Sequence, residues 1–234
     1  MHKSLDYFAQ DAETLDAQSL LEWAIQKFKR KIALASSFGL EDVVLIDMAV
    51  KVDPTVAIFT IDTGRLHQET YDVIEAIEDK YNVKVSIYFP DTSSVEEMTT
   101  IHGPNLFYKG ASQRKLCCQV RKVEPLQRAL KGLEAWICGL RREQSLTRAS
   151  VRKVETDEVN GGIYKINPLA DWSTEMLWRY VKEHAVPYNK LHDLGYPSIG
   201  CAPCTRPIKQ GEDMRAGRWW WENPEQKECG LHRR

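Results

Sequence analysis

Six cysteines are the residues of this 234-residue chain whose types and spacing most clearly suggest chemistry: Cys117, Cys118, Cys138, Cys201, Cys204 and Cys229. The first two are adjacent in "KLCCQVRK", and "GCAPCTR" contains a Cys-x-x-Cys. The opening segment has no apolar core and does not have the pattern of a signal peptide. We therefore expect a reducing compartment, in which metal ligation or thiol chemistry explains cysteine pairs better than disulfides do.

The Cys-x-x-Cys alone is compatible with half a zinc site, a thioredoxin-like redox pair or half an iron–sulfur site. The adjacent pair helps to separate these alternatives, because neighbouring residues on a helix point in different directions and suit one small ion poorly. A [4Fe–4S] cube is larger and offers a separate iron to each of four thiolates. The spacing favours a cluster, while unrelated buried cysteines and a zinc-bound nucleotide-binding module stay open as alternatives.

Basic residues flank the adjacent cysteines: Arg114, Lys115, Arg121 and Lys122. Four thiolates on a cluster leave excess negative charge, which these cations would offset. For Arg114 and Lys115, a solvated helix face is an equally good interpretation.

The two remaining cysteines have different surroundings. Cys138 lies inside the strand-like "EAWICGL", where a small buried hydrophobe is expected. Cys229 lies in the polar tail "KECGLHRR", and the nearby histidine and arginines favour the reactive thiolate. Gly230 would let this tail close over a substrate and carry the nucleophile with it. An incidental exposed thiol is the alternative.

Composition excludes several functional classes. The chain is 43% hydrophobic with a formal net charge of −1, so nothing indicates a nucleic-acid partner or an acidic membrane surface. No apolar run is long enough to cross a bilayer. We expect one soluble, cytoplasmic domain over residues 1–234.

Apolar strands alternate with helical patterns along the first part of the chain. Strands are predicted at "KIALASS", "TVAIFTIDTG", "VKVSIYFP" and "LEAWICGL", with helices between the first three. Such alternation predicts an α/β fold with a parallel sheet covered by helices on both faces. Ligands bind at the carboxyl ends of such strands, where "SSFGLED", "IDTGR" and "GLRREQSLTR" fall.

The C-terminal part is less regular. A helix is predicted at "STEMLWRYVKEH", with Ser173 as its N-cap. The run Trp219, Trp220 and Trp221 is expected to contribute at least one residue to the core. The tail from about residue 219 to residue 234 is predicted to be mobile.

Eight stretches together resemble the assimilatory sulfonucleotide reductases, of the iron–sulfur adenylyl-sulfate reductase type. They are "SSFGLED", "IDTGR", "KLCCQVRKVEPL", "GLRREQS", "NPLADWS", "VPYNKLHDLGYPSIGCAPCTR", "GEDMRAGRWWW" and "KECGLH". The two cysteine pairs combined with the terminal Glu-Cys-Gly-Leu-His are the specific part of this resemblance, which spans residues 35–232. It implies an adenine nucleotide α-hydrolase-like fold, related to the ATP pyrophosphatases.

The resemblance also implies site residues. It makes Cys117, Cys118, Cys201 and Cys204 the ligands of a [4Fe–4S] cluster, and Cys229 the nucleophile. The residues matching positions that hold the phosphosulfate are Lys122, Arg215, Arg218 and His232. The adenosine-side loop matches Asp62, Thr63, Gly64 and Arg65, and Gly139 lies in a further nucleotide-contacting loop. "SSFGLED" departs from the relatives' glycine-rich loop at Phe38, although Ser36 and Ser37 stay suited to an oxyanion.

The implied activity is reduction of adenosine 5′-phosphosulfate to sulfite and AMP through an S-sulfocysteine, in sulfate assimilation and cysteine biosynthesis. An external dithiol, thioredoxin or a glutaredoxin-like donor, is expected because the tail has no second cysteine to resolve the intermediate. A homo-oligomer is a further expectation. Alternatives are a 3′-phosphoadenylyl-sulfate reductase, an enzyme using both substrates, and an iron–sulfur redox sensor.

Overall fold

The computed structural model describes residues 11–222, and six strands form its one sheet within that range. The strands are β1 Ile32–Ala35, β2 Ala57–Ile61, β3 Val85–Tyr88, β4 Ala135–Ile137, β5 Val154–Asp157 and β6 Ile163–Ile166. Their order is β3-β2-β1-β4-β6-β5. The pairings of β1 with β2, of β1 with β4 and of β4 with β6 are parallel, which confirms the predicted α/β fold.

The last two strands were not predicted from the sequence. β5 pairs antiparallel with β6, in the register that sets Val154 opposite Ile166 and Asp157 opposite Ile163. The turn between them contains Gly161 and Gly162, both at positive φ. The sheet is therefore mixed, because a short hairpin supplies an antiparallel edge to a parallel sheet.

Seven α-helices occur among residues 11–222: α1 Ala17–Phe28, α2 Leu40–Val52, α3 Gln68–Tyr81, α4 Thr92–His102, α5 Ala111–Cys118, α6 Glu124–Leu130 and α7 Thr174–Glu183. Side chains cap several of them, as expected where the first turn leaves amides without intrahelical acceptors. Asp16 accepts from the Ser19 amide at 2.7 Å at the start of α1. The predicted cap of α7 is confirmed, since Ser173 accepts from the Met176 amide at 3.2 Å.

The central strand explains why the sheet forms where it does. Ile32, Ala33 and Leu34 of β1 are all buried, and the strand contacts both α1 and α2. A continuous apolar run of this kind suits a strand covered on both faces, where no side chain reaches water. Burial of such side chains supplies the main stabilisation of this layer.

The chain divides into two compact units, each interleaved in sequence with the other. The first unit consists of Met1–Phe59, Asp72–Ser86 and Gly132–Asn189, and the second of Thr60–Tyr71, Ile87–Lys131 and Lys190–Arg234. The single-domain assignment stays a prediction. In the described part of the chain, no helix combines the length and the apolar character needed to cross a membrane.

Candidate functional site

The second unit gathers two cysteine pairs that are far apart in sequence. Cys117 and Cys118 end α5 (Ala111–Cys118), where the helix passes into a π-helical turn, Gln119–Val123. Cys201 is the N-cap of the short 3₁₀ turn Ala202–Cys204, and Cys204 is its last residue. All four side chains are buried, and all four line one pocket. The two pairs therefore meet in one place, as the cluster hypothesis requires.

The cysteine pocket, as we call it, spans about 350 Å³ of space not filled by atoms, part of it open to solvent. Its remaining lining residues are cationic, aromatic or proline: Arg65, Phe107, Arg114, Arg121, Lys122, Pro203 and Trp219. Four basic side chains around four thiols make it a place where negative charge is stabilised.

Burial and mutual proximity act on the cysteine thiols. Burial raises the pKa of Cys204 to about 12, with a further contribution from the neighbouring Cys201. Burial and Cys201 also raise the pKa of Cys117. For Cys201, burial opposes the thiolate, but Lys122, Thr63 and Arg218 outweigh it and lower the pKa. A bound cation or cluster would favour the thiolates of Cys117 and Cys204 over their neutral thiols.

The donor set fits a [4Fe–4S] cluster. Four soft thiolates in one enclosed pocket, with cations that offset their charge, are the ligands that iron–sulfur clusters use. Among residues 11–222, no three or more His, Cys, Asp or Glu side chains are grouped as they would be around a metal ion. The fit to a cluster rests on the type of the four donors, their shared pocket and its cations.

The Asp-Thr-Gly-Arg loop contributes to the same pocket. Asp62 shapes the loop, since its carboxylate accepts from the Gly64 amide at 2.7 Å and from the Tyr71 hydroxyl at 2.9 Å. Thr63 Oγ1 lies 3.2 Å from Cys201 Sγ. Arg65 lines the pocket, where its guanidinium donates to Pro104 O at 2.6 Å and lies 5.3 Å from the Phe107 ring centre. Thr63 and Arg65, predicted on the adenosine side, thus lie beside the cysteines.

The flanking cations differ in their surroundings. Arg121 is buried and donates to Thr63 O at 2.7 Å. Lys122 lines the pocket and favours the Cys201 thiolate. Arg114 is buried as well, whereas Lys115 is exposed. The solvated-face interpretation is therefore wrong for Arg114 and applies only to Lys115.

The two predicted arginines of the C-terminal part are buried rather than ordinary surface residues. Arg218 donates to Ile199 O at 3.0 Å, and a Cβ built on Gly200 would lie 2.3 Å from its guanidinium nitrogen. Gly200 is therefore needed for the close approach of this side chain. The Arg215 amide donates to the Asp213 carboxylate at 2.8 Å.

Of the three consecutive tryptophans, one belongs to the core, as predicted. Trp219 is 1% exposed and Trp220 is 39% exposed. The mobile-tail prediction concerns residues 219–234, of which only Trp219–Glu222 are described. Cys229 and His232 lie outside the described residues, so their roles stay predictions.

The remaining predicted contacts lie in the first unit. The Ser37 amide and hydroxyl donate to one oxygen of Asp42, at 2.5 and 2.8 Å, and the Phe38 amide donates to Ser36 Oγ at 3.0 Å. Phe38 is fully buried and has φ +56°. A Cβ on Gly139 would lie 2.4 Å from Asp42 Oδ1. The sequence interpretation missed Asp42, although an acidic residue in the first turn of a helix after two serines is a signal for such a contact.

Comparisons with known proteins agree with this geometry. Residues 31–207 match the model of the phosphoadenosine phosphosulfate reductase domain family. The chain is 53% identical to an adenosine 5′-phosphosulfate reductase of Allochromatium vinosum, over 87% of this chain and 79% of that protein. It is 48% identical to one of Burkholderia cepacia, over 86% of this chain and 80% of that protein.

Solved structures show the same fold. A phosphoadenylyl-sulfate reductase from Candida auris, in a phosphate complex, has a TM-score of 0.75 at 34% identity and covers 88% of this chain and 98% of its own. An FMN adenylyltransferase of Candida glabrata is similar in fold alone, with a TM-score of 0.58 at 14% identity, over 91% of this chain and 75% of its own. The chain belongs to the phosphoadenosine phosphosulfate reductase family.

Proposed function

We propose that this protein reduces adenosine 5′-phosphosulfate to sulfite and AMP, as an enzyme of sulfate assimilation that serves cysteine biosynthesis in the cytoplasm. The observation that carries the proposal is the convergence of Cys117, Cys118, Cys201 and Cys204 in one pocket with four cations. The 53% identity to an adenosine 5′-phosphosulfate reductase supports the choice of substrate.

The first step is a nucleophilic displacement at sulfur. The Cys229 thiolate attacks the sulfonyl sulfur, the bond from that sulfur to the phosphate oxygen breaks, and AMP leaves with the electron pair. The product is an S-sulfocysteine on Cys229. Cations near the substrate stabilise the charge that develops on the leaving phosphate, a role proposed for Lys122, Arg215, Arg218 and His232.

The second step is thiol–disulfide exchange with a reduced dithiol donor, thioredoxin or a glutaredoxin-like protein. A donor thiolate attacks the Cys229 sulfur, and sulfite leaves with the electron pair of the sulfur–sulfur bond. The donor's second thiol then attacks the mixed disulfide, which frees Cys229 and leaves the donor oxidised. The dithiol thus supplies both electrons of the reduction.

The residues of the cysteine pocket have a separate task. Cys117, Cys118, Cys201 and Cys204 would hold the [4Fe–4S] cluster, which supplies an anionic centre and no electrons for these steps. Arg65, Arg114 and Arg121 offset the charge of the thiolates. Lys122 lines the pocket and is one of the predicted phosphosulfate contacts. Its charge would therefore stabilise both the thiolate-bound cluster and the phosphosulfate group of the substrate.

Intact-mass spectrometry of anaerobically purified protein tests the proposal. After incubation with adenosine 5′-phosphosulfate and no reductant, one added sulfonate should map to Cys229 and should leave as sulfite when reduced thioredoxin is added. Cys229→Ser should form no adduct, whereas Cys138→Ser, which removes a thiol buried in the first unit, should form it normally. An intact cluster without any adduct would exclude the proposed nucleophile and favour a redox sensor.

The solved Candida auris protein favours one alternative, the same reaction on 3′-phosphoadenosine 5′-phosphosulfate. Repeating the mass experiment with 3′-phosphoadenosine 5′-phosphosulfate shows which of the two nucleotides the protein uses. A Cys229 adduct that forms at similar rates with both nucleotides would establish an enzyme that uses both.

A further inference from the structure

A buried ion pair joins the cysteine-bearing helix to the end of the described chain. Arg114 Nε donates to Glu222 Oε1 at 3.0 Å, and Arg114 Nη2 donates to Glu222 Oε2 at 2.7 Å. The two side chains are only 1% and 3% exposed. Burying both charges is costly, so such a bidentate pair is weak evidence for stability and is better explained by a positioning role.

Arg114 belongs to the cysteine pocket as well as to this pair. It lies in α5 (Ala111–Cys118), lines the pocket and hydrogen-bonds Cys118. One guanidinium therefore contacts a proposed cluster ligand and the Glu222 carboxylate. In the sequence, Glu222 precedes the proposed nucleophile Cys229 by seven residues.

Trp219 makes a second connection in the same segment. Its ring centre lies 4.6 Å from the Arg114 guanidinium and 4.8 Å from that of Arg218, both within the range of cation–π contacts. Its amide donates to Cys204 O at 3.1 Å, and the Glu222 amide donates to Trp219 O at 2.9 Å. The segment Arg215–Glu222 is thus tied to the helix with Cys118 and to the turn with Cys204.

The backbone of this segment is held in a costly conformation. Trp219 has φ +42°, a left-handed conformation that a bulky residue rarely adopts. Such strain persists only where the surroundings fix it, and here the surroundings are the guanidinium contacts and the bond to Cys204.

We propose that Glu222 is a positioning residue whose pair with Arg114 couples cluster loading to the placement of the segment Arg215–Glu222, from which the chain runs on to Cys229. The proposal rests on the proposed function in taking Cys229 as the nucleophile. Its coupling part concerns only the described residues and does not depend on the substrate.

Hydrogen exchange of the loaded and iron-free wild-type protein tests the coupling without any substitution. Removing iron should lower the protection of the Trp219 and Glu222 amides about tenfold, because their acceptors, Cys204 O and Trp219 O, belong to residues that line the cysteine pocket. Peptides from α1 (Ala17–Phe28) should not change and serve as the internal reference. Equal protection of residues 215–222 with and without iron would overturn the proposal, whatever the activity.

Substitution tests the ion pair itself. Glu222→Gln keeps the shape and removes the charge, and Glu222→Asp restores the charge. Glu212→Gln is the matched control, because Glu212 forms a bidentate pair with Arg206 at 2.8 and 2.9 Å but leaves 30% of its side chain exposed. Each loaded variant is assayed for iron, cluster absorption, exchange of residues 215–222, and single-turnover sulfonation of Cys229.

Glu222→Gln should slow sulfonation about tenfold and change the dissociation constant for adenosine 5′-phosphosulfate less than about twofold, with partial recovery in Glu222→Asp. Glu212→Gln should match the wild type. Normal protection and normal sulfonation in iron-loaded Glu222→Gln would overturn the positioning role. If no variant and no wild-type protein is sulfonated while the exchange results hold, the proposed function fails and the coupling stands.

Discussion

The amide and the hydroxyl of Ser37 both donate to the same oxygen of Asp42, at 2.5 and 2.8 Å. Asp42 is buried, and burial raises the pKa of its carboxyl to about 6, although the bonds from Ser37 oppose the shift. The loop after β1 (Ile32–Ala35) is therefore hydrogen-bonded to a buried carboxyl group whose ionisation is costly.

This relationship predicts a pH-dependent stability. A folded pKa above the ordinary value favours the folded state when the carboxyl is protonated, and the contribution is lost as the pH rises through about 6. Asp42→Asn cannot ionise, so the free energy of unfolding of the variant relative to wild type should improve by about 2 kcal/mol between pH 4.5 and pH 7.5. Urea unfolding at both pH values measures this difference. A difference that does not vary with pH would contradict the prediction.

The pKa of a second carboxyl group, that of Asp47, is shifted in the opposite direction. Asp47 accepts from Lys51 at 2.6 Å, from Tyr81 at 2.8 Å and from Tyr180 at 2.6 Å. Burial favours the neutral acid, but these three donors outweigh it and lower the pKa of Asp47. Its stabilising contribution is present above the ordinary pKa of a carboxyl and is lost as the pH falls through the lower folded value.

Asp47→Asn should therefore lower the free energy of unfolding by about 2 kcal/mol at pH 7 and by much less near pH 3. Asp53→Asn is the control, because the Asp53 carboxylate accepts from the amide and the hydroxyl of Thr55 at an exposed position. Thermal unfolding of both variants at the two pH values is the measurement. If both substitutions lower the free energy of unfolding equally at pH 7, the three donors to Asp47 do not add to the stability of the fold.

The cysteine pocket predicts which thiols hold iron. Cys117→Ser and Cys201→Ser should each retain about tenfold less iron than wild type, because a hydroxyl replaces a soft thiolate ligand. The Cys138→Ser variant should keep its iron, since the Cys138 thiol donates a hydrogen bond to Asn167 Oδ1 at 2.9 Å in the first unit. Iron and sulfide analysis of anaerobic preparations measures the cluster content of each variant. Full iron content in the pocket variants would exclude these ligands.

The close approach of Gly200 to the Arg218 guanidinium predicts that a side chain at position 200 disturbs substrate binding. In Gly200→Ala the new Cβ would lie 2.3 Å from the guanidinium, which must move. We expect KM for adenosine 5′-phosphosulfate to rise about tenfold, the cost of roughly one charge-assisted hydrogen bond. Arg218→Lys, which lacks the planar fork, should have a similar effect. Steady-state kinetics measures both, and an unchanged KM in Gly200→Ala would remove Arg218 from the substrate contacts.

Local patterns were sufficient to predict part of this molecule. The alternation of apolar strands and helices predicted β1 to β4, and the cap at Ser173 was visible as a residue type before a periodic segment. The cysteine pairs were recognisable because a ligand set has a characteristic composition and spacing. None of these predictions required distances between remote residues.

The parts that were missed depend on such distances. Arg114 and Glu222 are separated by 108 residues, and nothing in either segment indicates the partner. The strands β5 and β6 form an antiparallel hairpin, which the alternation of strands and helices does not indicate. Gly200 resembles any turn glycine until the Arg218 side chain is placed beside it. Tertiary contacts, rather than local preference, decided all three.

The interleaving of the second unit has a consequence for biosynthesis. Its parts are Thr60–Tyr71, Ile87–Lys131 and Lys190–Arg234, and the second cysteine pair lies in the last of them. A nascent chain that has not reached Cys201 offers only two of the four thiols. We therefore expect synthesis to proceed past Cys204 before all four thiols are available to iron, so that cluster delivery competes with the folding of the polypeptide already made.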